Sequence, residues 1–108
     1  MAHWTFLTNH AHVLLCVSEN SDARLRDIAE MVGITERAAQ RIVTELEEAG
    51  YLDRVREGRR NSYVLNTGMP LRHPLDSDHR IGELLVTFAN HRPTADVSEA
   101  PRKSASIG

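Results

Sequence analysis

Apolar residues recur at helical spacing in three segments of the first half of the chain, residues 9–18, 24–33 and 34–50. Positions i, i+3, i+4 and i+7 fall on one side of an α-helix, so each segment predicts a helix with a buried face. Thr8 or Asn9 can cap the first helix, because both side chains accept hydrogen bonds from the free amides of a first turn. This helix is apolar on two flanks, so we expect it to pack against two surfaces.

The second and third predicted helices are separated by a short turn. Leu25 can begin the second segment as a brief strand, and Gly33 ends the helix, because glycine adopts the left-handed conformation that closes a helix. Thr35 is a suitable N-cap for the third helix, and Gly50 is its stop signal. One face of the third helix is apolar and is expected to be buried: Ala39, Ile42, Val43 and Leu46.

The second half of the chain changes from helical to strand-like spacing. Residues 51–57 and 62–66 are two strand-like runs around Gly-Arg-Arg-Asn, and they predict a β-hairpin. Residues 67–75 contain two prolines and predict an extended connection. A fourth helix is expected to begin near Asp76.

Length and composition fit one domain. The chain has 108 residues, 41% of them hydrophobic, which is enough to bury a core without disulfides. We expect this domain, with the fourth helix, to span residues 1–92, and residues 93–108, which have no apolar period, to form a disordered tail. Cys16 is the single cysteine and most simply a small core residue, so no intrachain disulfide can form, and we expect a cytoplasmic location.

Ala29 and Gly33, four positions apart, complete the pattern of a helix-turn-helix. A small residue at position 29 lets two helices cross closely, Gly33 supplies the turn, and Ile34 fills the angle between them. The helix that follows can then project its polar face into the major groove of DNA.

The stretch RLRDIAEMVGITERAAQRIVTELEEAGYLDRVREGRRNSYVL resembles winged helix-turn-helix transcriptional regulators of the MarR/ArsR-like kind. The resemblance covers about residues 9–66. It implies a mainly α fold with a small β-hairpin wing and a C-terminal helix. In such proteins the third helix, about residues 35–49 here, reads the major groove, and the wing, about residues 54–63, contacts the backbone or the minor groove. The implied DNA-binding positions are Thr35, Arg37, Gln40, Arg41, Thr44, Arg54, Arg56, Arg59, Arg60 and Asn61.

Positive charge is concentrated where the wing is expected. The chain has 13 Lys+Arg against 15 Asp+Glu, yet residues 54–61 hold four arginines and one acidic residue, Glu57. Such a patch releases condensed counterions when it meets DNA, and a tip arginine can enter a narrow minor groove. In the third helix, Arg37 and Arg41 lie on one side and can pair with guanine, while Gln40 can pair with adenine.

Other interpretations stay open for these surfaces. The hairpin arginines could serve solubility alone, and Arg37 and Arg41 could form surface ion pairs with Glu36 and Glu45. The winged helix could also be a protein–protein interaction module without a specific DNA site.

A metal-responsive repressor is a further alternative. His73, Asp76 and His79 lie around the predicted start of the fourth helix and could supply three zinc ligands, while His10 and His12 point to different sides of the first helix. ArsR-like metal sensors usually have a Cys-rich motif, which this chain lacks. We therefore expect no metal and no cofactor.

The remaining expectations concern activity and partners. The chain contains no Gly-rich phosphate loop, nucleophile elbow or HExxH motif, so we do not expect an enzyme. Its longest apolar run, residues 13–17, is too short to span a bilayer. We expect double-stranded DNA as the partner and a homodimer formed through the first and fourth helices, with Trp4 and Phe6 over the same seam. Few residues are left for an effector pocket, so a small-molecule effector is not expected.

Overall fold

The computed structural model describes residues 4–89. The tail predicted over residues 93–108 lies outside this range. The described chain forms four helices and one antiparallel hairpin in the order α1 (Asn9–Glu19), α2 (Leu25–Val32), α3 (Glu36–Glu48), β1 (Leu52–Glu57), β2 (Arg60–Leu65) and α4 (Ile81–Ala89). The predicted architecture, a helix-turn-helix followed by a hairpin wing and a further helix, is confirmed.

The ends of the first three helices follow local signals in the sequence. The hydroxyl of Thr8 accepts a hydrogen bond from the backbone N–H of Ala11 at 3.3 Å, so Thr8 caps α1. Gly33 closes α2 with φ of 87°, in the left-handed region. The brief strand at Leu25 is wrong, because Leu25 is the first residue of α2. A capping hydrogen bond stabilises this helix start, because the side chain of Asp27 accepts from the backbone N–H of Arg24 at 3.4 Å.

The hydrophobic core lies where the three N-terminal helices meet the base of the hairpin and α4. Side chains from each of these regions are almost completely buried: Val13, Ile28, Val43, Leu52 and Ile81. The close crossing of α2 and α3 rests on small residues, because Ala29 is 4% exposed and Ala39 is 0% exposed. The buried face predicted for α3 is confirmed in full.

The hairpin turn is tighter than the predicted Gly-Arg-Arg-Asn loop. Only Gly58 and Arg59 lie between the strands, and Glu57 pairs with Arg60 at the tip. Gly58 has φ of 64°, a conformation that two-residue hairpin turns favour. The backbone N–H of Tyr63 donates to the carbonyl of Ser21 at 2.9 Å, which joins the hairpin to the loop between α1 and α2.

The fourth helix begins later than predicted. The expected start near Asp76 is wrong, and α4 begins at Ile81. The N–H of Leu71 donates to the carbonyl of His79 at 2.9 Å, and the N–H of Ile81 donates to the carbonyl of Met69 at 2.9 Å. These bonds commit the backbone before Ile81 to pairing with the preceding connection, so a helix cannot start earlier.

Within residues 4–89, no helix is both long enough and apolar enough to cross a membrane.

Candidate nucleic-acid interface

The polar face of α3 is exposed on the side opposite its core stripe. Arg37, Gln40 and Arg41 are exposed, and Thr44 is half-buried. The side chains of Arg37, Gln40 and Arg41 form no hydrogen bond or ion pair with another residue in the described range. Thr35 lies at the start of this face, where its hydroxyl accepts the N–H of Ala38 at 3.0 Å. Three flexible polar side chains thus project from the first two turns of α3 with their hydrogen-bonding groups available.

The surface ion pairs considered for these arginines are not formed. Glu45 lies against α1 instead, with its Oε1 2.7 Å from Nε2 of His10. Glu36 lies 3.9 Å from the Nε of Arg26, at the limit of an ion pair. Arg37 and Arg41 therefore keep their charge free for an external partner.

The two ends of α3 differ in charge. The first two turns present Arg37 and Arg41 against one acid, Glu36, whereas the last turn has no basic residue and contains Glu45, Glu47 and Glu48. A polyanion is attracted to the first end and repelled by the second. Recognition helices contact base edges through their N-terminal residues. In α3 the N-terminal end is the one that presents the arginines.

The four wing arginines fall into two groups. Arg56 and Arg59 are exposed and have no carboxylate partner in the described chain; the Nε of Arg56 donates to the carbonyl of Gly58 at 3.2 Å. Arg54 and Arg60 each form an ion pair with a residue outside the hairpin. The tip of the wing is therefore its most available cationic part.

Arg54 lies at the base of the wing, on its inner face. Its Nη2 lies 3.3 Å from Oε1 of Glu47 in α3, and its Nε is buried without a hydrogen-bond partner among the described residues. Its cross-strand neighbour is Tyr63, which is 5% exposed. Burial raises the pKa of the Tyr63 hydroxyl, while the Arg54 charge lowers it and the Glu47 charge raises it. Arg54, Glu47 and Tyr63 form one cluster that joins α3 to the hairpin.

Arg60 and Asn61 occupy opposite faces of β2. The Nη2 of Arg60 donates to Oδ2 of Asp22 at 3.2 Å. Asn61 pairs across the hairpin with Arg56 and is half-buried, and its Oδ1 is buried without a partner in the part of the chain that is described. The side chain of Asn61 is thus partly covered by the domain, whereas Arg56, opposite it on the same face of the hairpin, is exposed.

Sequence reasoning identified the cations of this surface but missed Asp22 and Glu47. Asp22 is 38 positions from Arg60, and Glu47 lies in a different secondary-structure element from Arg54, so no helical or strand spacing rule joins either pair. The only available signal was indirect: Glu47 ends the helix that runs into the hairpin, and Asp22 lies in the loop that β2 contacts.

The histidines do not converge on a metal site. Among residues 4–89, no group of three or more His, Cys, Asp and Glu side chains is placed to hold a metal ion. His73 accepts the N–H of Leu75 through Nδ1 at 3.0 Å, and the Nδ1 of His79 lies 2.7 Å from Oε1 of Glu83. The metal-responsive alternative has no structural support in this range.

A second surface lies between α1, the end of α3 and the connection to α4. It is a groove of about 950 Å³ with an apolar floor that includes Leu14, Leu46 and Leu84. Phe6 at its edge is 92% exposed, and it contacts Trp4 edge to face with ring centroids 5.1 Å apart. Large apolar groups exposed beside a groove are typical of a surface that another molecule covers.

A helix-turn-helix with a free cationic recognition helix and a basic hairpin defines a winged helix-turn-helix DNA-binding domain. The MarR family model matches residues 8–58, from the cap of α1 to the turn of the hairpin, so this part of the chain is similar to the MarR family. Proteins of this family are DNA-binding transcriptional regulators, and the match supports this general function for the domain. No curated protein is similar enough to the chain to count as a relative.

Proposed function

We propose that the protein regulates transcription by placing α3 in the major groove of double-stranded DNA, with the wing on the backbone or in the adjacent minor groove. The observation that supports this most directly is the unpaired state of Arg37, Gln40 and Arg41 on the outer face of α3. Polar groups kept free of internal partners, at the cationic end of the helix, can exchange water for base edges at low cost.

Each residue of α3 has a proposed role set by its chemistry. Arg37 and Arg41 present planar guanidinium groups that can donate two hydrogen bonds to guanine, and Gln40 can pair with adenine. Thr35 and Thr44 lie at the two ends of this face and are assigned to phosphate oxygens, which hydroxyl groups commonly contact.

The wing supplies affinity rather than sequence preference in this proposal. Arg56 and Arg59 are assigned to phosphates or to the minor groove, because no carboxylate competes for them among the described residues. Arg60 joins them after leaving Asp22. Arg54 and Asn61 belong to the same surface at its inner side, closer to the domain.

We also propose that the protein acts as a homodimer in the cytoplasm, without a small-molecule effector. Trp4 and Phe6 are 69% and 92% exposed, and Val86 and Phe88 of α4 are 65% and 40% exposed, so large apolar side chains are available for contact with a second copy. A two-fold dimer of this kind places two recognition helices on half-sites about one helical turn, roughly 34 Å, apart.

Selection of bound DNA from a random pool tests the proposal. The expected result is an enriched palindrome whose half-sites are one helical turn apart, which gives site and symmetry together. Enrichment of a single, unrepeated half-site would support the DNA-binding proposal and contradict the dimer. No enrichment over many rounds would contradict sequence-specific binding and favour a protein–protein interaction module.

A further inference from the structure

We propose that Glu47 and Arg54 form a brace that fixes the wing relative to the recognition helix, so that Arg54 contributes to DNA recognition by positioning rather than by contact. This inference rests on the proposed function and assigns a role within the same surface. The pair joins Glu47 in the last turn of α3 to Arg54, the third residue of β1, with 3.3 Å between Oε1 and Nη2.

The exposure of this pair sets it apart. The side chains of Arg54 and Glu47 are 30% and 38% exposed. In the other four ion pairs of the described chain, every side chain is at least 46% exposed. Solvent and salt screen a less exposed pair less strongly, and its side chains have already lost part of their freedom through packing. It is the ion pair best suited to hold a fixed geometry.

The surroundings of Arg54 favour a fixed position over an outward reach. Arg54 shares the inner face of the hairpin with Leu52, which is 0% exposed, and lies opposite Tyr63, which is 5% exposed. Its Nε is buried. Turning the guanidinium outward to a phosphate would leave Glu47 without its partner and would expose this packed base of the wing.

A brace at this point controls where the tip of the wing lies. Residues 49–51 connect α3 to β1 along the chain, and Gly50 in this connection has φ of 89°. From Leu52 to Gly58 the hairpin extends about 20 Å, so a rotation of about 10° at its base would move the tip by about 3.5 Å. That displacement is enough to break a phosphate contact at the tip while α3 remains in the groove.

The decisive test is a comparison of Glu47→Gln with Glu48→Gln. Each variant removes one negative charge from the same helical turn, but Glu48 is exposed and has no partner among the described residues. Neutralising an acid near DNA normally strengthens binding. The brace predicts the opposite for Glu47→Gln: the affinities for the selected site and for scrambled DNA both fall by about two- to fivefold, because the wing loses phosphate contacts, whereas Glu48→Gln lowers neither affinity. A gain in affinity with Glu47→Gln would show that Glu47 merely competes with DNA for Arg54, and would overturn the brace.

An exchange of charges provides a second measurement. Arg54→Glu should lower the affinity for both DNAs, and the double variant Glu47→Arg/Arg54→Glu should restore most of it, because the ion pair re-forms with reversed polarity. Failure of the double variant to recover, with its melting temperature close to that of the wild type, would mean that the cation itself is required at position 54. Thermal unfolding of each variant separates this outcome from a loss of folding.

Failure of the brace can be distinguished from failure of the proposed function. If the wild type prefers its selected site and Arg41→Ala weakens that preference, the DNA interface is sound, and the Glu47 and Arg54 variants test the brace alone. If neither the wild type nor Arg41→Ala shows any preference, the proposed function fails before the brace is reached.

Discussion

Arg60 in β2 donates a hydrogen bond to Asp22 in the loop between α1 and α2, with 3.2 Å between Nη2 and Oδ2. The two residues are 38 positions apart in the chain. Their side chains are 67% and 56% exposed, so the pair is held loosely and is screened by solvent. A carboxylate therefore lies beside this wing arginine at the position that a phosphate takes in the proposed DNA complex.

Asp22→Asn should strengthen DNA binding by about two- to fivefold, because Arg60 no longer has to leave a carboxylate before it meets a phosphate. The gain should be the same for the selected site and for scrambled DNA, since a phosphate contact contains no sequence information. Fluorescence anisotropy titrations at two salt concentrations provide the measurement.

Asp53→Asn is the matched control for this prediction. Asp53 is an exposed acid in the hairpin that contains Arg60, and its side chain has no partner in the described chain. Its replacement by asparagine changes the net charge by the same amount as Asp22→Asn. Two results contradict the prediction: equal gains for the two variants, or a gain from Asp22→Asn that persists when Arg60 is replaced by alanine.

Gly33→Ala should destabilise the domain by about 1–2 kcal/mol. Gly33 has φ of 87°, and an added Cβ would meet no atom within 4 Å, so the cost is conformational rather than steric. Gly68→Ala is the control, because Gly68 also has free space around it but lacks a positive φ. Urea unfolding should show the first change and only a few tenths of a kcal/mol for the second. Equal effects would mean that the turn between α2 and α3 tolerates a side chain.

Stability should depend on pH through His79 and Glu83 at the start of α4. Hydrogen bonding to Glu83 raises the pKa of His79 above its ordinary value of 6.5, and the same bond lowers the pKa of Glu83 below 4.5. The histidine contribution is complete below pH 6.5 and is lost as pH rises through the raised pKa. The glutamate contribution is present above pH 4.5 and is lost as pH falls through the lowered pKa. The pair therefore stabilises α4 most between these two values.

His79→Gln tests this dependence. The melting temperature of the variant should lie below that of the wild type at about pH 6, and the two should approach each other at about pH 8.5. The difference should be small, because the side chains of His79 and Glu83 are 62% and 57% exposed and solvent screens the pair. Glu83→Gln should abolish the effect of His79→Gln at about pH 6; an undiminished effect in that background would assign the pH dependence to the nearby Asp76 or Asp78, which also raise the pKa of His79.

The parts of the fold that the sequence predicted are those with local causes. Thr8, Gly33 and Thr35 act within one turn of their own positions, so the ends of α1, α2 and α3 could be located to within about two residues. The predicted start of α4 is wrong because the cause of the observed start is not local. Residues 69–71 pair with residues 79–81, and the spacing around Asp76 does not indicate that pairing.

The same distinction applies to the candidate interface. The cations of α3 and of the wing are evident from charge and helical spacing alone. The sequence does not show which wing arginines have a carboxylate partner. That division depends on Glu47 and Asp22, which only the folded chain brings to Arg54 and Arg60. Ion pairs between different secondary-structure elements follow no regular spacing, so a single sequence does not predict them.

The last prediction separates affinity from sequence preference. Arg56→Ala and Arg59→Ala should each weaken binding to every DNA sequence and reduce the slope of log K against log salt by about 0.9, because each removes one phosphate contact and its released counterion. Gln40→Ala and Arg41→Ala should instead reduce discrimination at one base position by about 1–3 kcal/mol. Both sets have exposed side chains without a carboxylate partner in the described structure, so exposure alone cannot produce the difference. Titrations of the four variants on single-base variants of the selected site, each at several salt concentrations, measure both quantities, and identical behaviour of the two sets would refute the assignment of α3 to bases and the wing to phosphates.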